Sequence, residues 1–484
     1  MQPPPSHVGS PPASRGGIRL SGRTLVPFLG LLLASLSIAA APVIYPPRDR
    51  GVLTRLADAG PHAGLCDQCH TEHGDDAATV YPNALKGPND NTVCVACHST
   101  PWVGGSFVTE PLYRANGHGS SMSMIWPGPE PPPRIEPDAP TKCLNCHDPH
   151  GWTDLYGTVP HLANAREEKL CLACHDGSPA QTNLAIDLSK PYRHPITDFR
   201  DRHQGPDESQ PASFGTTPFN ARHSECEDCH NPHLSRPDRT LPLGDGLSLT
   251  TLGVSRVSVF NGGAGTAPGF SFVAASDTLS GPPAEYELCF KCHSSWTRQP
   301  SAQTDLARVM NPNNPSYHPT EAVGANPAID PMSFVPGWSA QSITRCGDCH
   351  GSDSGTLRGP HGSIYPAILK RDYVPSSAPR DMTSNELCFS CHSYDVYGNP
   401  SSPDAIRQAS RFNKPQIDKG HAEHVGEEHV PCYACHATHG STALPFLMVT
   451  GRNPGVSAYT KTAGGGTCTP TCHAPESYTV NYAR

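Results

Sequence analysis

The stretch CLNCHDPHG at residues 143–151 sets the plan of the whole chain. Its two cysteines are separated by two residues, a histidine follows the second cysteine, and a further histidine and a glycine come shortly after. The pattern Cys-x-x-Cys-His occurs nine times, in motifs that begin at Cys66, Cys94, Cys143, Cys171, Cys226, Cys289, Cys346, Cys388 and Cys432. A tenth motif, CTPTCH at 468–473, has one extra residue, and the ten motifs together use all 20 cysteines.

This motif is the attachment sequence of c-type haem. Two thiols one short turn apart can each form a thioether to a vinyl group, and the adjacent histidine then lies beneath the iron as proximal ligand. We therefore predict ten covalently attached haem c groups. The predicted attachment residues are Cys66, Cys69, Cys94, Cys97, Cys143, Cys146, Cys171, Cys174, Cys226, Cys229, Cys289, Cys292, Cys346, Cys349, Cys388, Cys391, Cys432, Cys435, Cys468 and Cys472. The predicted proximal ligands are His70, His98, His147, His175, His230, His293, His350, His392, His436 and His473.

Other kinds of cysteine site fit these motifs less well than haem attachment does. Zinc also uses Cys-x-x-Cys, but it needs two such pairs and has no need of a histidine after each second cysteine. A thioredoxin-like centre would need one motif, and a disulfide framework would not favour the same short loop repeated ten times. For the tenth motif, where Pro470 lies inside the loop, a local disulfide between Cys468 and Cys472 stays open beside haem attachment.

The composition describes a chain that is rich in loops and poor in core residues. Of its 484 residues only 36% are apolar, while 54 prolines and 44 glycines interrupt regular structure. A formal charge of −9 gives no reason to expect a nucleic acid as partner. Something besides aliphatic side chains must fill the interior.

The N-terminus has the pattern of a secretory signal. Arg15, Arg19 and Arg23 precede the apolar run LVPFLGLLLASLSIAAA, which ends in small residues suited to cleavage near position 41. We predict a signal peptide at 1–41 and hence export to the periplasm or the outer surface of a bacterium. An uncleaved membrane anchor at 25–44 is the alternative.

The motifs alternate in type. Odd-numbered motifs carry a further histidine behind them, usually followed by glycine, whereas four even-numbered motifs are preceded by leucine or valine. Repetition on this scale indicates one structural unit used several times. We predict five two-haem units at 42–110, 111–190, 191–300, 301–400 and 401–484. Within the third unit, residues 234–288 form a probable insertion, because VSRVSVF and FSFVAAS alternate like the strands of a β-hairpin. We expect this insertion to cover the edge of a haem. Docking to a partner is the alternative.

The motifs CLNCHDPHG, CEDCHNPH and YELCFKCHSSW resemble those of multihaem c-type cytochromes with a doubled CXXCH motif, which are exported electron carriers of metal-reducing and related bacteria. The resemblance covers the chain from about Pro61 onward. It implies bis-histidine haems packed in a chain. The fold class expected is a loop-rich multihaem cytochrome with short helices and few strands, in which the haems form the shared core, since too few residues surround each haem to build a core of their own.

Full bis-histidine ligation needs ten distal histidines. The chain has 26 histidines, and fifteen of them remain when the ten proximal ones and His7 are set aside. The first five candidates recur behind the odd motifs: His73, His150, His233, His361 and His439. Each is badly placed to reach the far face of its own haem, so we expect it to bind iron in a neighbouring one. The second five lie upstream of the odd motifs: His62, His118, His194, His318 and His421. His223 and His429 are close rivals, and His161, His203 and His424 are weaker ones.

An iron with two protein ligands has no open position for a substrate. We therefore expect an electron carrier and no enzyme, relaying single electrons to redox partner proteins, other cytochromes, an outer-membrane conduit or mineral acceptors. A multihaem oxidoreductase with one open haem is an alternative from a different class. A subunit of a cytochrome filament is another.

Overall fold

A computed structural model describes residues 62, 64–71, 85–87, 91–98, 113, 115–120, 143–151, 153–154, 157–159, 163, 165–196, 223–236, 249–276, 283–297, 303–355, 357–415 and 417–481. All of them belong to one compact unit, Gly51–Arg484. The predicted signal peptide lies outside the described residues. Among the described residues, no helix is long and apolar enough to cross a membrane.

The helices in the described part of the chain are short, and five of the ten α-helices contain the cysteines of a Cys-x-x-Cys-His motif. The α-helices are α1 (Cys66–Cys69), α2 (Asn91–His98), α3 (Glu167–His175), α4 (Leu184–Leu188), α5 (Glu285–His293), α6 (Leu306–Val309), α7 (Cys346–Cys349), α8 (Tyr394–Tyr397), α9 (Asp404–Arg407) and α10 (His421–Gly426). Single 3₁₀ turns cover Gly117–Ser120, Cys143–Asn145, Cys226–Asp228, Leu249–Thr251, Pro331–Ser333, Pro366–Ile368, Leu387–Ser390, Gln408–Ser410 and Cys432–Ala434. Frequent prolines keep these elements short, because proline lacks the amide hydrogen that an inner turn needs.

The strands form small separate sheets. They are β1 (Thr153–Asp154), β2 (Gly157–Thr158), β3 (Tyr192–Arg193), β4 (Arg256–Phe260), β5 (Gly269–Val273), β6 (Ser316–Tyr317), β7 (Gly362–Ser363), β8 (Gly440–Ser441), β9 (Val456–Thr462), β10 (Gly465–Pro470) and β11 (Glu476–Thr479). The pairs β1–β2, β3–β7, β4–β5 and β6–β8 are antiparallel, and β11–β10–β9 form an antiparallel sheet of three strands. Two of the pairs, β3–β7 and β6–β8, join segments far apart in sequence.

The predicted hairpin is present. Strands β4 and β5 pair in register from Arg256 opposite Val273 to Phe260 opposite Gly269. Val257 is fully buried and packs with Phe290 and Trp296 in the larger of two small apolar clusters. Since Phe290 belongs to the sixth motif, the hairpin packs on the helix that carries that motif.

The second apolar cluster lies beside the eighth motif. It consists of Met382, Phe389 and Val425, with Tyr394 and Tyr397 packed against it. Both clusters are too small to be the core of a chain of this length. Their position beside motif residues is consistent with a fold organised around the motifs, with short helices, few strands and many loops.

The tenth motif lies in a different element from the other nine. Cys468 is inside strand β10, opposite Tyr459 of β9 and Glu476 of β11. The register between β9 and β10 shifts between Thr469 and Pro470, which is the place of the extra residue in CTPTCH. An extra residue in one strand of an antiparallel pair is accommodated as a bulge.

Candidate haem sites

One turn of backbone brings the two thiols and the histidine of a motif to the same side. The amide of His147 donates to the carbonyl of Cys143 at 2.9 Å, and the amide of His230 donates to that of Cys226 at 2.8 Å. The same bond from the histidine to the first cysteine recurs in the motifs that begin at Cys66, Cys346, Cys388 and Cys432. This turn explains why two residues, and no other number, separate the cysteines in nine motifs.

Nine of the ten proximal histidines face a second imidazole ring at a nearly constant distance. The facing pairs and their ring-centroid distances are His62 with His98 (6.0 Å), His70 with His150 (6.0 Å), His118 with His175 (6.0 Å), His147 with His233 (6.2 Å), His194 with His293 (6.3 Å), His230 with His361 (6.1 Å), His350 with His439 (6.3 Å), His421 with His436 (6.1 Å) and His424 with His473 (6.2 Å).

This distance fits a shared metal ion. A histidine nitrogen binds a metal at about 2 Å, and the ring centre lies roughly 1 Å behind that nitrogen, so two imidazoles that share one metal have centres about 6 Å apart. Rings in direct stacking contact can lie closer, with centroids from about 4.5 Å. The donor set of two neutral imidazoles beside a pair of cysteines is also the set that haem c requires. The residues present therefore fit a haem at each of these pairs.

The tenth proximal histidine, His392, has different ring neighbours. Its ring contacts Phe334 and Tyr397, with centroids 5.6 and 5.7 Å away. Two histidines lie near it, because burial and then the positive charges of His318 and His436 lower the pKa of His392 to about 4. His436 is itself a proximal histidine and faces His421, which leaves His318 as the candidate for His392.

The pairing follows a rule along the predicted units. The histidine behind an odd motif faces the proximal histidine of the preceding odd motif, as His150 faces His70 and His361 faces His230. In the first three predicted units, the histidine upstream of an odd motif faces the proximal histidine of the next even motif, as His194 faces His293. The first kind of pair therefore joins consecutive predicted units.

The last unit departs from this rule. The proximal His436 faces His421, which lies in the same predicted unit. His473 of CTPTCH faces His424, one helical turn further along α10. Sequence analysis ranked His424 among the weaker candidates. One signal could have raised the rank of His424. It lies three residues from His421 on one short helix, and each of the two histidines is near a different motif.

A repeated hydrogen bond orients the upstream histidines. His62 donates from Nδ1 to the carbonyl of Pro149 at 3.1 Å, immediately before His150. The equivalent bonds join His118 to Pro232 (3.1 Å), His194 to Pro360 (2.8 Å) and His318 to Thr438 (2.6 Å). A histidine that donates through Nδ1 presents Nε2 as the metal-binding nitrogen.

Several other candidate ligands are held in the same way. Nδ1 of His230 donates to the carbonyl of Thr250 at 2.9 Å, that of His350 to Ala367 at 2.8 Å and that of His436 to Phe446 at 2.9 Å. His424 donates to Gly420 at 2.8 Å, and His473 donates to Ala474 at 2.8 Å. Donation through Nδ1 makes Nε2 of each ring the nitrogen that can bind a metal.

Short turns place the histidines that follow odd motifs. In CHDPH the amide of His150 donates to the side chain of Asp148 at 3.0 Å, and in CHNPH the amide of His233 donates to Asn231 at 2.9 Å. Asp and Asn form such turns readily, and a proline in between favours them. The turn directs the second histidine away from its own motif and toward the preceding unit.

Burial keeps many of these histidines neutral. It lowers the pKa of His293, His361 and His439 to about 4 and that of His421 to about 3, with further lowering by neighbouring histidines. A neutral imidazole is the form that binds a metal.

Consecutive motifs lie side by side along the chain. Asn91 of the second motif's helix accepts from the amide of Cys143 in the third at 2.9 Å, and α3 with the fourth motif packs against the turn of the fifth, Cys226–Asp228. In the remaining steps, cysteines of successive motifs are near enough for their charges to interact: Cys69 with Cys94 and Cys97, Cys146 with Cys174, Cys229 with Cys292, Cys289 with Cys346, Cys349 with Cys391, Cys388 with Cys432, and Cys435 with Cys468 and Cys472.

None of the 20 cysteines is joined in a disulfide, Cys468 and Cys472 included. In the described part of the chain, no group of three or more His, Cys, Asp or Glu side chains is arranged to hold a metal ion.

The remaining candidates lie elsewhere. His223 faces Glu225, with Nε2 3.5 Å from its carboxylate, and His429 contacts Asp381 at 2.8 Å. His73, His161 and His203 are outside the described residues.

Comparison with known proteins finds the doubled motif in two segments of the chain. A family model described as "Doubled CXXCH motif" matches residues 136–180 and 340–396, which hold the third and fourth motifs and the seventh and eighth. These two segments carry the doubled CXXCH motif of multihaem c-type cytochromes. The chain is also similar to the multiheme cytochrome MtrA of Shewanella baltica (strain OS185), with 23% identity over 190 residues. The match covers 37% of the chain and 39% of that relative, so the chain spans well under two thirds of its length. No solved structure matches.

Proposed function

We propose that this protein is an exported decahaem electron carrier whose haems form one continuous relay in the order of the sequence. The observation that carries the proposal is the set of histidine pairs about 6 Å apart, one beside each of nine cysteine pairs. Each bound haem would supply a one-electron couple of its iron. The protein's own residues would hold the irons, orient their ligands and bring neighbouring haems close.

The proposed attachment residues are the 20 cysteines, and the proposed proximal ligands are the ten motif histidines. The proposed distal ligands are His62, His118, His150, His194, His233, His318, His361, His421, His424 and His439. His424 takes the place that sequence analysis assigned to His73. His318 is proposed for His392 because the charge of His318 acts on that ring.

The order of the relay rests on the contacts between motifs. Each motif has a close neighbour in the next one along the chain, from the thiols of Cys69 and Cys94 to those of Cys435 and Cys468. Five two-haem units, joined because each odd haem of the first four units takes its distal ligand from the following unit, account for both the alternation of motifs and these contacts.

Saturated irons favour transport over catalysis. With two histidines at each iron, no position is open for a substrate, and the pairing of His424 with His473 extends this to the unusual tenth site. We propose the periplasm or the outer surface as the place of action, after removal of residues 1–41. Other cytochromes, an outer-membrane conduit or a mineral acceptor are the proposed partners.

Two measurements on the intact exported protein test the proposal. Mass spectrometry counts covalent haems, and ten are expected. Electron paramagnetic resonance and visible spectra of the oxidised protein then report the ligands, and low-spin signals with negligible carbon monoxide binding after reduction are expected. Fewer haems, or a high-spin haem in the unaltered protein, would contradict the decahaem bis-histidine assignment.

A further inference from the structure

The inner residues of the ten motifs include a single basic side chain. This is Lys291 in CFKCH, the sixth motif, where other even motifs with the usual spacing have alanine or serine. A lysine on a haem-binding helix would ordinarily extend into solvent. Only 4% of Lys291 is exposed, although burying an ammonium group is unfavourable unless it is held by polar partners.

Two partners hold this ammonium group between the fifth and sixth motifs. Its Nζ donates to the carbonyl of Asp228 in CEDCH at 3.0 Å and to the hydroxyl of Ser255 at 2.7 Å. The first partner belongs to the fifth motif. The second immediately precedes strand β4, so the hairpin insertion provides part of the site.

The packing of the hairpin explains why the lysine stays in place. Val257 and Phe272 of the hairpin pack with Phe290, inside the sixth motif, and with Trp296, just after it. Arg256 at the start of β4 pairs with Glu287 of α5 at 3.6 Å. The hairpin thus fixes α5 in an orientation that directs Lys291 toward the fifth motif.

The charge lies beside the second cysteines of both motifs. Lys291 immediately precedes Cys292, and the carbonyl that accepts from its Nζ belongs to Asp228, the residue before Cys229. A haem bonded to either cysteine would therefore lie near the charge.

We propose that Lys291 is a potential-setting residue, which raises the reduction potentials of the fifth and sixth haems. A nearby positive charge disfavours the ferric iron relative to the ferrous, which carries one positive charge fewer, and poor solvent access leaves the effect little screened. The hairpin insertion then has a function within the relay, because it holds the charge there.

The inference rests on the proposed haem attachment, and the experiment separates the two. The exported full-length protein is compared with K291M, K291Q and the control K461M, in which an exposed lysine of β9 is replaced. Haem count by mass spectrometry and the low-spin spectrum come first. A wild-type protein without its haems would contradict the proposed function itself.

Redox titration followed by visible absorbance then tests Lys291. In K291M and K291Q we expect the transitions of one or two haems to move to lower potential, while the rest of the curve superimposes on that of the wild type. K461M should be unchanged, because solvent screens an exposed charge. A curve identical to the wild type, a shift to higher potential, or a uniform shift of all haems would overturn the proposal.

A loss of haem caused by misfolding must be distinguished from a shift in reduction potential caused by the missing charge. K291Q keeps a hydrogen-bond donor for the carbonyl of Asp228 without the charge, so it is expected to retain all haems and still show the shift. If both variants lose haems, Lys291 is a structural residue and the proposal is wrong. S255A retains the charge and is expected to move the same transitions less than K291M does.

Discussion

His194 donates a hydrogen bond from Nδ1 to the carbonyl oxygen of Pro360, 2.8 Å away and 166 residues later in the chain. The residue after Pro360 is His361, which faces His230. One hydrogen bond therefore links the histidine proposed for the sixth haem to the histidine proposed for the fifth. The equivalent bonds of His62, His118 and His318 repeat this link in three other units.

Replacing His361 should leave one haem iron with an open coordination position. In His361→Ala the proposed fifth haem keeps His230 alone, so we expect one high-spin haem and binding of one carbon monoxide per reduced molecule. Absorbance and magnetic resonance spectra measure this. His429→Ala is the matched control, because His429 contacts Asp381 and faces no proximal histidine in the described chain. A fully low-spin His361→Ala protein would show that another residue binds that iron.

The spin state of the tenth haem shows whether His424 or His73 binds its iron. We expect His424→Ala to convert one haem to the high-spin state, since His424 faces His473 at 6.2 Å. His73→Ala should leave the spectrum unchanged, because ten other histidines stand beside the ten proximal ones. Carbon monoxide titration of both variants measures the open sites. The opposite result, an open haem only in His73→Ala, would restore the ligand set predicted from the repeat.

Glu285 should make stability depend on pH. Its carboxylate accepts from the amide of Gly347 at 3.0 Å in the seventh motif, and burial raises its pKa to about 7 from an ordinary 4.5. The facing charges are Asp348, which raises this pKa, and Arg345 and Lys370, which lower it. Because folding disfavours the charged form, the unfolding free energy should fall as pH rises from about 4.5 to 7 and stay low above that.

The variant Glu285→Gln removes this dependence. It should be more stable than the wild type by about 2 kcal/mol at pH 8, allowing for partial exposure, and nearly equal to it at pH 4.5. Guanidinium unfolding followed by circular dichroism at both pH values measures the difference. An equal gain at both pH values would mean that packing, and not charge, is responsible.

A buried ion cluster joins the second and fourth units. Lys190 donates to Asp187 at 2.6 Å and to Asp353 at 2.8 Å, and Asp187 is fully buried. Replacing the lysine in Lys190→Met leaves a buried carboxylate without its cation, which should destabilise the protein by about 3 kcal/mol. Unfolding by guanidinium tests this against Lys169→Met, an exposed lysine whose loss should change stability by less than about 0.5 kcal/mol.

Much of the candidate site could be predicted from local sequence. The spacing of the cysteines dictates a single turn, and the Asp148 and Asn231 turns follow from residue type and the proline behind. The strands of the hairpin at 254–276 followed from alternation of apolar residues. These features depend on contacts within a few residues, where backbone chemistry leaves few choices.

The distal partners could not be predicted in this way. By sequence, His421 is the stronger candidate and His424 a weaker one, and only the placement of α10 assigns one histidine to each of the last two motifs. The three-stranded sheet around Cys468 was not foreseen, because its glycines and proline are typical of turns. Pairing with β9 and β11 overrides these preferences.

The sequence by itself determined the covalent plan: twenty thiols in ten motifs, a histidine behind each, and an alternation that defines the units. Thioether chemistry and backbone turns act over a few residues, so spacing alone specifies them. Tertiary structure decided which histidine faces which motif, and it buried Lys291 between the fifth and sixth motifs. Those relationships join residues as distant as His194 and Pro360, and they depend on how whole segments pack.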